Sequence, residues 1–396
     1  MSGWGKNTTI GCFVVTLSGS DLPDGDMLMT KESRKKAPGA PLGHFMPARC
    51  HPGRRRSVWL TLAMALLLAI GTGCAPVVMP AGPPLAAPGL REDALLTSDG
   101  AVLPLRRFMP AGEARAVLLA LHGFNDHAGN FLLDSLGRFR DAGVEIYAYD
   151  QRGFGGAPNR GYWAGAPTLA DDAAEAARLL RRRHPDLPLF MLGESMGAAV
   201  SVLAATQDAA PPVDGYILLA PALWSREVMN PMMRGTLWLA ARIMPMMGFQ
   251  GGVGGIVASD NTDALRRMGR DPLVIRTTRV DAAFGLVELM DTAAAAMPRC
   301  CRGAGGTAVP VLALIGAQDM IVPARASRHA LRPLPEATRP RIAVYPQGFH
   351  LLLSDRNREE VARDILAFIE APAAPLPSGA DSNAPAWLEE RLTPGS

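Results

Sequence analysis

Lysine is nearly missing from this sequence. Lys6, Lys31, Lys35 and Lys36 all lie at the N-terminal end, and every later basic residue is arginine or histidine. That break separates an N-terminal leader from the unit that folds. Net charge is only +3, with no long basic run, so nucleic acid is not an implied partner. Cysteine is scarce too: Cys12, Cys50, Cys74, Cys300 and Cys301. No C-x-x-C or His/Cys spacing argues for a metal, and no organic cofactor is implied. The neighbours Cys300 and Cys301 allow a vicinal disulfide in an oxidising compartment, but adjacent cysteines bond only with strained geometry, so two free thiols or chance is the preferred reading. Internal repeats are absent. Charged residues make up 19% of the 396 and hydrophobic ones 48%, which excludes global disorder and allows a sizeable core. The length fits one large α/β domain or two small ones.

What is present begins with an address. Residues 1–45 show no sustained periodicity. From Met46 onward, Arg49 and Arg54-Arg55-Arg56 form a positive region, 58–70 is an apolar run, and Gly71-Thr72-Gly73-Cys74 follows. This is the layout of a secretory signal. Small residues leading into a cysteine resemble a bacterial lipoprotein cleavage site, with Cys74 as the lipidated first residue. An uncleaved anchor or simple secretion are the alternatives. Each places the folded part outside the cytoplasm, and the first two bring it to a membrane surface. Residues 75–90 are rich in Pro, Ala and Gly and read as a tether. Residues 372–396, rich in Pro, Ala and Ser, read as a disordered tail.

Between them, 91–371 alternates strands and helices. Apolar runs at 116–121, 144–149, 187–192, 215–220, 309–315 and 341–345 read as buried strands. Residues 169–183 carry Ala173, Ala176, Ala177 and Leu180 at helical spacing, and 356–369 closes the pattern. Continuous apolar strands between helices mean a mostly parallel sheet covered on both faces, an α/β fold. The rhythm stops at about 221–308, too long for a plain loop, so this is an insertion with its own structure. Its methionines, among them Met229, Met232 and Met233, suit either a helical core or an adaptable surface for apolar ligands. Its position after the strand 215–220 favours a cap, with these three as candidate substrate contacts. Gly251-Gly252-Val253-Gly254-Gly255 reads as a hinge.

The chemistry centres on Gly193-Glu194-Ser195-Met196-Gly197, between the strand 187–192 and the small residues Ala198, Ala199, Ser201, Ala204 and Ala205. Strand, sharp turn and helix are the setting of a nucleophile elbow. The turn places Ser195 at a helix N-terminus, where free N–H groups favour an oxyanion. A serine hydroxyl needs a base, and the base needs an orienting acid. Beyond Ser195 the histidines are His329 and His350. His350 follows the last strand, at the sheet edge that carries the elbow, whereas His329 lies in a helical run. Asp319, after the strand 309–315, is the acid, ahead of Asp281, Asp291 and Asp355; a turn-capping role is its alternative. The oxyanion donors are the N–H of Met196 and, from the loop His122-Gly123-Phe124, that of Phe124. His122 reads as a loop-bracing residue.

Together, His122-Gly123, Asp150-Gln151-Arg152-Gly153, Gly193-Glu194-Ser195-Met196-Gly197, Asp319 and His350 resemble the monoacylglycerol lipase and lysophospholipase branch of the α/β-hydrolases. The resemblance covers about 91–371. It implies a helical cap, no cofactor, and hydrolysis of acyl esters on glycerol-type leaving groups through a Ser-Asp-His triad and an acyl-enzyme. Some near relatives are peptidases. Glu194 stands where His is frequent in this branch, and Phe124 where a small residue is. An amidase on the same triad and a non-catalytic, membrane-tethered binding protein are the competing readings.

Overall fold

The computed structural model describes Thr61 and residues 75–250 and 256–390. The leader, the signal-like stretch with Cys74, and the glycine cluster 251–255 lie outside the described residues.

Nine strands form one sheet. In chain order they are β1 (Gly89–Leu90), β2 (Ala94–Leu96), β3 (Val102–Phe108), β4 (Ala116–Leu121), β5 (Val144–Tyr149), β6 (Leu189–Glu194), β7 (Gly215–Leu219), and, beyond the insertion, β10 (Val311–Gly316) and β11 (Arg341–Tyr345). Their spatial order is β1-β2-β3-β5-β4-β6-β7-β10-β11. The first three run antiparallel, and β5 through β11 run parallel. The parallel strands are apolar throughout because both faces are covered. On one face pack α2 (Ala166–Arg183), α3 (Met196–Ala205) and α6 (Val280–Ala296), with Leu169, Ala173, Ala177, Ala199 and Leu289 buried. On the other lie α1 (Leu136–Asp141) and α8 (Arg358–Glu370), burying Phe139, Val361, Ile365 and Phe368. The α7 helix (Ala324–Leu331) joins the first face through Ala326, Ala330 and Leu331. All the parallel strands point their C-terminal ends at one edge, which is where open α/β sheets carry their sites.

The insertion holds α4 (Pro231–Ile243), α5 (Thr262–Arg270), α6, and a hairpin of β8 (Gly248–Gln250) with β9 (Thr277–Arg279). Its last helix, α6, is no part of a separate cap, because it packs on α3 as part of the layer over the sheet.

Three expectations are corrected here. The stretch 75–90 is no free tether. Val77 N–H donates to Asp281, Met79 N–H to the Trp163 carbonyl, Ala81 N–H to Thr168 and Gly82 N–H to Asp99. Nor is the tail disordered through residue 390. Leu376, Ala380, Ala384, Trp387 and Leu388 are buried, the last three on or beside α9 (Ala384–Glu389). Arg328, Arg332 and Arg341 donate to the carbonyls of Trp387, Leu388 and Ala374. Composition suggested disorder, but guanidinium groups on the folded unit satisfy the tail's backbone. Finally, Cys300 and Cys301 form a disulfide, not two free thiols. Among the described residues no helix is long and apolar enough to cross a membrane.

Candidate active site

Ser195 occupies the bend between β6 and α3 with φ 53° and ψ −110°, a left-handed conformation that is costly for a non-glycine residue. Four hydrogen bonds hold it. Its N–H donates to the Leu219 carbonyl, and its carbonyl accepts from the N–H groups of Ala198, Ala199 and Ala222. The flanking glycines are steric requirements. A Cβ on Gly193 would lie 2.3 Å from the Gly197 carbonyl, and one on Gly197 would lie 2.2 Å from the Leu121 carbonyl oxygen. Any side chain at either position would force strand and helix apart.

His350 follows β11 and is buried. Its Nδ1–H donates to Asp319 Oδ2 at 2.7 Å, leaving Nε2 as the ring's acceptor. The other carboxylate oxygen of Asp319 accepts from the N–H groups of Ile321 and Val322 at 2.8 and 2.9 Å. One oxygen of Asp319 therefore holds the His350 ring while the other caps the turn that follows. The imidazole's own backbone is fixed from the insertion, since His350 N–H and Leu351 N–H both donate to the Ala258 carbonyl. Ser195 and His350 line one cavity of about 350 Å³. The rival acids lie elsewhere: Asp281 is paired with Arg279, and Asp291 accepts from Arg226. Asp355 braces the histidine loop by accepting from Phe349 N–H. His329 sits at the surface beside Glu227.

Phe124 lines the same cavity, and its loop lies against Ser195; a Cβ on Gly123 would sit 3.6 Å from Ser195 Cβ. The Phe124 ring meets Phe154 edge-on at 5.4 Å and tilts toward Trp163 at 6.4 Å. Met196 is the first residue of α3, where a backbone N–H has no acceptor inside the helix. His122 is wholly buried. It donates from Nδ1 to the Gly123 carbonyl and accepts the Gln151 N–H at Nε2, and burial lowers its pKa to about 4. Both nitrogens are engaged, so it braces two loops. Asp150 accepts from Ala128 and Gly156 N–H groups, and Arg152 is clamped between Asp99 and Asp172, so both side chains brace neighbouring loops.

The cap methionines are corrected. Met229 is buried in the core, while Met232 and Met233 are exposed on α4, and none lines the cavity with Ser195. Its apolar wall is instead Trp224, Met268, Leu286, Met290, Ile321 and Val322. No sequence signal marked these, because they come from four separate segments. Two carboxyl groups share the wall. Burial raises the pKa of Asp126 to about 6 and that of Glu194 well above the ordinary value, each carboxylate also opposing its neighbours. Glu194 was marked in sequence by its place before Ser195, whereas nothing marked Asp126. Among the described residues no group of three or more His, Cys, Asp or Glu side chains is placed to hold a metal ion.

Set beside known proteins, residues 112–357 match a family model described as Hydrolase_4, serine aminopeptidase S33. A monoglyceride lipase of Mus musculus is 27% identical over 282 residues, covering 69% of this chain and 86% of that protein. A monoacylglycerol lipase of Mycolicibacterium smegmatis is 25% identical over 269 residues, covering 66% and 90%. Among solved structures, a soluble variant of the Saccharomyces cerevisiae monoglyceride lipase with a substrate analog superposes with a TM-score of 0.58 at 19% identity, covering 75% of this chain and 98% of that one. The Paleococcus ferrophilus monoacylglycerol lipase gives 0.54 at 23% identity, covering 67% and 98%. These two are likenesses of fold.

Proposed function

Since the chain belongs to the S33 serine aminopeptidase family, and is a monoglyceride-lipase-like carboxylic ester hydrolase of the α/β-hydrolase fold, we propose that it cleaves monoacylglycerol- or lysophospholipid-type esters with Ser195, His350 and Asp319. His350 Nε2 takes the Ser195 hydroxyl proton as Oγ attacks the acyl carbonyl carbon. The N–H groups of Phe124 and Met196 receive the developing oxyanion. His350 then returns the proton to the departing glycerol-type alcohol, leaving an acyl-enzyme. Water, deprotonated by the same imidazole, releases the fatty acid. Asp319 holds the imidazole in the tautomer with Nδ1–H.

The observation that carries this reading is the His350–Asp319 hydrogen bond beside a cavity shared with the strained Ser195. The apolar wall suits an acyl chain. An aminopeptidase would need an ionised carboxylate for the substrate ammonium, and burial favours the neutral form of Glu194, the carboxyl next to Ser195. A panel of monoacylglycerols, lysophospholipids and aminoacyl anilides tests the choice. Hydrolysis of the esters, lost in His350→Ala, is expected; turnover confined to the anilides would overturn it. The leader at 46–74 adds a lipid anchor on Cys74 and a place in the cell envelope, facing a membrane surface. Cys74→Ser should release the protein from membranes and end its labelling with palmitate.

A further inference from the structure

The loop carrying Phe124 follows β4 and the loop carrying His350 follows β11, yet one short piece of the insertion holds both. On the imidazole side, the Ala258 carbonyl accepts from His350 and Leu351 N–H, and the next residue completes the grip. Ser259 is buried. Its hydroxyl donates to Asp355 Oδ1 at 2.5 Å and accepts from Asn261 N–H. The other oxygen of Asp355 takes Phe349 N–H at 2.7 Å, one residue before His350. Asn261 Nδ2 donates to the Ser354 carbonyl, and Arg356 N–H donates to Asp260, so the loop is held on both flanks of the base.

On the oxyanion side the same piece arrives with its other end. Asn125 follows Phe124 with φ 66°, a left-handed conformation that persists in a non-glycine residue only where its surroundings fix it. Its carbonyl accepts from Ile275 N–H at 2.9 Å, and its Nδ2 donates to Thr278 Oγ1 at 2.7 Å. Two residues on, His127 Nε2–H donates to Asp271 Oδ2 at 3.0 Å, while Nδ1 takes Gly129 N–H. Between the two grips runs α5, whose Met268 reaches the wall of the catalytic cavity.

We propose that segment 258–278 is a yoke that sets the spacing between the oxyanion donor of Phe124 and the imidazole of His350, with Ser259 and Asp271 as positioning residues at its two ends. The inference rests on the ester-hydrolase reading and deepens it. Neither residue lines the cavity that Ser195 and His350 share, so each acts through a loop and not on the substrate. The chemistry demands such a link. The base and the oxyanion donors must address one carbonyl group together, and a misplacement of about 1 Å costs on the order of 10²-fold in rate. In the sheet, β6, β7 and β10 stand between β4 and β11. The strands therefore connect the two loops only at a distance, whereas the yoke joins them directly.

The test is kcat and KM for p-nitrophenyl butyrate, measured on the full chain and its variants per active site titrated with a fluorophosphonate. Ser259→Ala and Asp271→Ala should each lower kcat at least about tenfold with KM changed less than about twofold, the mark of lost positioning in the transition state. Ser259→Thr, which returns the hydroxyl, should recover most of the loss. Asp271 is half-buried, so its truncation spares the core. Should Ser259→Ala not fold, Asn261→Ala, which frees the Ser354 carbonyl at the same end, takes its place. Because one yoke serves both loops, the double variant should fall no more than about threefold below the worse single one. A kcat within twofold of the parent in either single variant, or a double loss equal to the product of the two, would overturn the yoke, the loops then being held separately. If the parent does not hydrolyse the ester, it is the hydrolase reading that fails.

Discussion

The sheet edge and the cap use similar residues to opposite ends. Met191 and Met196 flank the elbow and are wholly buried, whereas Met232, Met246 and Met247 of the insertion are 79%, 60% and 50% exposed. At the sheet edge, each side chain is fixed by a strand on one side and a helix on the other. On the cap, an apolar residue faces whatever happens to lie opposite. The comparison teaches that local sequence determines burial only where the neighbouring elements are themselves dictated by the pattern.

The sharpest way to break that contrast is at the edge. Asp319→Asn retains the shape of the bonded pair but reverses the tautomer of His350, and kcat should fall by about 10⁴ on a soluble ester. A fall of less than tenfold would mean that the acid is dispensable. Next comes the tail, which composition assigned to disorder and the structure to the core. Trp387→Ala should cost about 3 kcal/mol in urea unfolding, as for other buried aromatic deletions. No change would restore the disordered reading.

Glu194→Gln sharpens the comparison from the other side. The buried carboxyl has its pKa raised well above the ordinary 4.5 in the fold, so its contribution is fully present below that value and is lost as pH rises toward the folded pKa. Asp126 and Asp355, raised to about 6, act in the same sense. The amide lacks this penalty. Relative to the parent, the Tm of Glu194→Gln should therefore rise by about 2 °C or more at pH 8, the shift expected for a large domain gaining 1–2 kcal/mol, and by nothing measurable at pH 4.5. An equal shift at both pH values would assign the effect to packing alone. The smallest effect belongs to the cap: Met232→Gln should change unfolding free energy by less than about 0.5 kcal/mol. A larger loss would mean that this exposed side chain is buried in solution.

Much of the edge was legible because its signals are local and redundant. Gly193 and Gly197 are demanded by contacts at 2.3 and 2.2 Å, and the apolar runs before His122, Ser195, Asp319 and His350 each end at the same edge of a parallel sheet. His122 could be read as a brace because the loop after the last strand already supplied a base, His350. What escaped reading depends on distant partners. The tail orders because Arg328, Arg332 and Arg341 meet its carbonyls, and the segment 75–90 because Trp163, Thr168 and Asp281 take its N–H groups. The cavity wall draws Trp224, Met268, Met290 and Val322 from stretches with no common motif. Cys300 and Cys301 bond although adjacency argued against it.

The central claim is that Ser195 is the nucleophile raised by His350. Mass spectrometry of the full chain after treatment with a fluorophosphonate tests it most directly. The account predicts one adduct, on the peptide carrying Ser195, that forms far more slowly in His350→Ala. An adduct on another serine, or undiminished labelling without His350, would contradict it.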